Sequence, residues 1–157
     1  MSDFAMNVGK ASNFTWGLQG TLLVTFASPG TIEPERFDEW IAAIRANRIE
    51  FVLGAATGAN TITGAQRRQV TDVFGGLTRI SVVVDNRVTR GIFTALGWLG
   101  LNLKCHPWTE IEQAAAYLKV PDVKQSDIVA NLWKLRGATE AGRNKPSDSD
   151  DHLHAPH

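Results

Sequence analysis

Residues 80–99 read ISVVVDNRVTRGIFTALGWL, and the fold turns on this stretch. Ile80, Ser81, Val82, Val83 and Val84 make the strongest β-forming run in the chain, because branched side chains pack well on a pleated sheet. Asp85-Asn86 ends the run with residues that can cap a helix. From 88 to 99 the apolar positions recur at helical spacing, and a short strand follows over 101–105. Strand, helix and strand in such quick succession describe a crossover between parallel neighbours.

The same alternation continues upstream. Thr61 or Thr63 can cap a helix carrying Ala65, Val70, Val73 and Phe74, and Gly75-Gly76 stops it. Residues 49–56 are mostly apolar and end in a glycine and two alanines, as a central strand buried on both faces would. Before that, Thr31 offers an N-cap ahead of Glu33, Pro34 and Glu35. Phe37, Trp40, Ile41 and Ile44 then form one apolar stripe, with Arg36, Glu39 and Arg45 outside it. Residues 14–20 and 21–27 are two β runs joined at Gly20, a hairpin in which Leu22, Val24 and Phe26 alternate with Leu23, Thr25 and Ala27.

Downstream, Thr109 to Glu112 reads as a capping box opening a helix with Ile111, Ala114, Ala115 and Leu118 inside. The order is ββαβαβαβα, an α/β fold with a mixed, mostly parallel sheet and helices packed against it. An amphipathic helix with Ile128, Val129, Leu132 and Trp133 closes the chain. The expected divisions are a flexible N-terminus over 1–11, the α/β domain over 12–120, the C-terminal helix over 121–136 and a disordered polar tail over 137–157.

Composition bounds the function. The chain has 157 residues, 43% of them apolar, enough for a single core. Sixteen basic and sixteen acidic side chains cancel, so no global field favours nucleic acid. No transmembrane run and no secretory leader are read, which makes the cytoplasm the expected location. Cys105 is the only cysteine; it reads as a small strand residue, and no metal or redox motif exists around it. The histidines of the tail, His152, His154 and His157, lack a framework to fix a metal, so neither metal nor cofactor is expected.

The element order, with residues 80–85, Val88-Thr89-Arg90-Gly91-Ile92-Phe93, Ala95-Leu96-Gly97-Trp98 and Ala114-Ala115-x-x-Leu118, resembles the STAS family of anti-sigma-factor antagonists and sulfate-transporter ends. It looks closest to the branch related to lipid-transfer folds. The resemblance covers about residues 12–120 and implies a non-enzymatic, regulatory module that binds partner proteins. Some members are switched by phosphorylation in an Asp-Ser-Ser-Gly motif before the second helix. Here Thr61-Ile62-Thr63-Gly64 stands in that place, with Ile62 at the phosphorylated position and no acid ahead of it. Thr63 and Thr61 are the nearest acceptors, and capping is their plainer role.

Candidate chemistry gathers at the carboxyl ends of the parallel strands, where open α/β sheets meet ligands. Asp85, Asn86, Arg87 and Arg90 form the best polar cluster, and if the strands ending at 56 and 84 are neighbours, an arginine can approach Thr61 and Thr63. Capping by Asp85-Asn86 and solvated arginines are the structural alternative. Gly54, Gly58 and Gly64 lack the spacing of a phosphate loop. His106 stands without a serine elbow or an acid to complete a hydrolytic set. Phe93 and Trp98 make the third helix apolar over more than one face, and Trp133 does the same for the last helix; aromatic anchors of this kind concentrate at interfaces. The leading expectation is a protein-binding module, a homodimer among the options, acting through the third helix, the Thr61–Gly64 loop and Trp133. A domain for a small apolar ligand or lipid, with a closed apolar pocket, is the alternative. An enzyme built on Asp85, Arg87 and Arg90 is the weaker one.

Overall fold

The computed structural model describes residues 4–8 and 12–144, with side chains to residue 141. β1 (Ala5–Val8), β2 (Phe14–Gln19) and β3 (Leu22–Ala27) form an antiparallel meander, followed by a two-residue strand β4 (Gly30–Thr31) and α1 (Pro34–Ala46). Then come β5 (Phe51–Ala56), a second two-residue strand β6 (Asn60–Thr61), α2 (Gly64–Phe74), β7 (Arg79–Val84), α3 (Arg87–Trp98), β8 (Asn102–His106), α4 (Ile111–Leu118) and α5 (Gln125–Asn144). The main sheet has the order β1-β2-β3-β5-β7-β8 and is parallel from β3 onward, while β4 and β6 pair by themselves.

The alternation in β3 sorts the two faces. Leu23 and Ala27 face a core shared with Phe37 and Trp40 of α1, Val70 and Phe74 of α2 and Leu96 of α3. Leu22, Val24 and Phe26 face the other core, with Ala114 and Leu118 of α4 and Ile128, Leu132 and Leu135 of α5. Every residue of β3 is buried, as a strand covered on both sides requires. Each of these large side chains contributes about 1.5–3 kcal/mol by leaving water. At the hairpin, Gln19 pairs with Leu22 and Gly20 takes φ 59, the positive angle that a two-residue turn requires.

Several expectations are corrected. Residues 5–8, assigned to a flexible N-terminus, form an edge strand whose register pairs Ala5 with Leu18 and Val8 with Thr15. Arg36, expected outside the apolar stripe of α1, is buried and holds this edge. Its guanidinium donates to the Phe14 carbonyl (2.9 Å), to Asn7 Oδ1 (2.9 Å) and to Glu39 (3.0 Å), and lies 4.2 Å over the Trp16 ring. A planar five-donor group can be buried when its donors are filled this way. Thr31 does not cap α1: it belongs to β4, and Glu33 takes the N-cap position without a side-chain bond, ahead of Pro34.

The Thr109 to Glu112 capping box does not form either. A 3-10 turn, Trp108–Glu110, occupies the start and α4 begins at Ile111. The last helix runs on to Asn144, past the expected end at 136, and Thr139 beyond that end is buried with its hydroxyl bonded to that of Thr15 in β2. Of the expected tail, residues 145–157 with His152, His154 and His157 lie outside the described residues. Among those described, no helix is long and apolar enough to cross a membrane.

Candidate functional site

β5 and β7 are indeed neighbours, so the loops after them meet at the carboxyl edge of the sheet. Asp85 Oδ1 accepts from the Gly58 amide at 2.8 Å, and Asn86 Oδ1 caps α3 through the amides of Val88 (2.9 Å) and Thr89 (3.3 Å). The Thr89 hydroxyl donates to Gly58 O (3.1 Å) and accepts from Asn60 N (3.2 Å). Gly58 has φ +64, and a Cβ there would come within 2.6 Å of Pro29 Cγ, so close packing and turn geometry both demand glycine. These bonds tie the loop over 57–60 to the start of α3.

The threonines are occupied structurally. Thr63 caps α2 in a full capping box: its hydroxyl accepts from Gln66 N (3.0 Å) while Gln66 Oε1 accepts from Thr63 N (2.9 Å). Thr61 lies in β6 and its hydroxyl bonds that of Thr31 at 3.0 Å. Both are exposed, yet no bond joins them to Arg87 or Arg90 among the described residues. No ion pair joins Asp85 to either arginine. Arg90 stands toward β8, where its charge acts on Cys105. Burial pushes the Cys105 thiol up from its usual value, against smaller pulls from Arg90 and a hydrogen bond with Thr94. Cys105 itself is half-buried on the edge strand.

The aromatic candidates separate. Phe93 is half-buried against the α1–α3 core. Trp98 is 83% exposed at the last position of α3, eleven residues from Arg87 and so about 16 Å along the helix from the Asp85 loop. Trp133 belongs to the opposite face of the sheet. It is half-exposed, with its ring 5.5 Å from that of Trp108, and the Arg136 guanidinium lies over both. Of the expected surfaces, the start of α3 and the loop before α2 adjoin through Thr89 and Asn60, the Trp98 end of α3 lies away from them, and Trp133 is on the other face of the sheet.

Two further features bear on what the chain can bind. At the amino edge of the sheet, Leu77 (99% exposed) and Leu99 (65%), the latter next to Trp98, lie on turns that touch: a Cβ on Gly76 would be 3.3 Å from the Gly100 carbonyl. Only Thr89 and Leu96 of α3 are buried. Under α3, between the sheet and the three helices of that face, lies an almost wholly apolar cavity of about 100 Å³. Among the described residues, no group of three His, Cys, Asp or Glu side chains could hold a metal ion.

Comparison with protein-family models, with curated proteins and with solved structures yields no match for this chain.

Proposed function

We propose that this chain is a non-catalytic, STAS-like interaction module of the cytoplasm, and that it pairs with a second copy of itself through the end of α3 and the turn before β7. The observation that carries this reading is Trp98, 83% exposed beside Leu99, with Leu77 exposed on the turn that touches the one after α3. Large apolar side chains grouped in water mark surfaces that another molecule covers, and tryptophan is the side chain most enriched where such contacts carry energy. A self-complementary patch closes as a two-fold pair with no second site needed. The formal net charge of zero puts no bulk repulsion between copies. The polar loops at the other edge support the non-catalytic part, since Asp85, Asn86 and Thr63 are each taken up in holding backbone amides and Thr61 in bonding Thr31.

Amide chemical shifts of the full chain, followed over a dilution series, test the surface. Concentration-dependent shifts confined to residues 75–78 and 96–101 are expected. Shifts centred on the β1 edge or on Trp133 would place the contact elsewhere and overturn the assignment.

A further inference from the structure

The cavity under α3 has a floor of small side chains. In the register of the sheet Thr25 lies beside Gly54, and Ala27 beside Ala56. These four residues leave a hollow in the middle of a sheet whose neighbouring positions carry leucine and valine. A Cβ built on Gly54 would meet nothing nearer than Val82 Cγ2 at 4.0 Å, so the hollow is real space above the strand. Over it stand Trp40 and Phe74, and along α3 the half-buried Ile92 and Phe93.

Of the polar side chains around the cavity, one keeps a buried atom without a partner. The hydroxyl of Thr25 is bonded by Trp40 Nε1 (3.0 Å), and that of Thr89 is bonded twice. Asn60, 6% exposed, also lines the cavity. Its Nδ2 is fixed on the Ser28 carbonyl, which sets the amide orientation and leaves Oδ1 buried without a partner. A buried acceptor left empty is costly, and native proteins rarely carry one without a ligand or water to fill it.

We infer that this cavity is a binding site for a small apolar molecule carrying one hydrogen-bond donor, a phenol or short alcohol, whose hydroxyl donates to Asn60 Oδ1. The size sets the class: a dry apolar cavity of about 150 Å³ takes benzene, and about 100 Å³ suits a ligand of that scale when the half-buried Ile92 and Phe93 shift slightly. Two-chain lipids are far too large for it. The site is independent of the Trp98 surface, since it uses the opposite side of α3.

Methyl NMR titration of the full chain with phenol and with benzene tests the inference. Saturable shifts at Ile62, Val70 and Ile92 are expected with both, and phenol binds about tenfold tighter, the worth of one hydrogen bond to an otherwise empty acceptor. Gly54→Val fills the hollow and abolishes both titrations. Gly54→Ala, a smaller intrusion that keeps the fold if the valine does not, weakens them. The absence of saturable shifts in the native chain overturns the site, as does phenol binding that survives unchanged in a folded Gly54 variant. Equal affinity for phenol and benzene overturns the role of Asn60 and points to a resident water on Oδ1.

Discussion

Asp85 and Gly58, 27 positions apart, are joined by a single hydrogen bond of 2.8 Å from the glycine amide to the carboxylate. The most conspicuous acid at the carboxyl edge thus holds a loop that Gly58 alone can turn. Asp85→Ala is expected to cost about 1 kcal/mol, the usual net worth of such a bond at a partly solvated site. Asp85→Asn, which keeps an acceptor, costs less. Urea denaturation measures the difference, and amide exchange at Gly58 and Asn60 should quicken in the alanine variant while β7 stays protected.

Thr15 of β2 and Thr139 of α5 share a hydroxyl bond of 2.6 Å, both essentially inaccessible to solvent. Because the Thr139 hydroxyl already donates to Leu135 O at 2.7 Å, the Thr15 hydroxyl is the donor between them. Thr139→Val therefore strands a buried donor and is expected to lower stability by about 1–3 kcal/mol. Adding Thr15→Val removes the stranded group, so the double variant loses less than the sum of the two singles. A double-mutant cycle in urea gives the coupling directly.

His106, buried at the end of β8, has its pKa lowered, first by burial and then by the Lys104 charge, against partial support from Glu110 and backbone carbonyls. A base with a depressed folded pKa takes up a proton more readily when unfolded. Its contribution is therefore present above the unfolded histidine value, near about 6.5, and is lost as pH falls from there through the folded value. Urea midpoints of the native chain should fall between about pH 7 and 5.5, and His106→Gln should flatten that slope.

How much of this was legible in the sequence depended on how local the signal was. Residues 80–84 and the stripe of Phe37, Trp40, Ile41 and Ile44 carry their own periodicity, and the parallel sheet followed from their alternation. The N-terminal strand carried no such pattern: Ala5–Val8 is an exposed edge ordered by Arg36, whose donors reach 22 and 29 positions back along the chain. Thr31 and Thr109 had the right neighbours for caps, but Thr31 pairs with Thr61 instead and a 3-10 turn takes the place of the second cap. That β5 and β7 are neighbours was anticipated, whereas Arg87 and Arg90 make no bond to Thr61 or Thr63 among the described residues, and Trp98 and Trp133 sit on helices that cover opposite faces of the sheet. An apolar pocket was the alternative expectation, but its place was not legible, because it depends on Gly54 lying beside Thr25 across two strands.

The central claim rests on Trp98. Sedimentation equilibrium of the full chain and of Trp98→Ser, over the same concentration range, tests it most directly. The account predicts a concentration-dependent dimer for the native chain and a monomer for the variant. Unfolding stability should differ by no more than about 0.5 kcal/mol, because an exposed side chain contributes little to the isolated fold. A native chain that stays monomeric throughout, or a dimer that Trp98→Ser leaves intact, would contradict it.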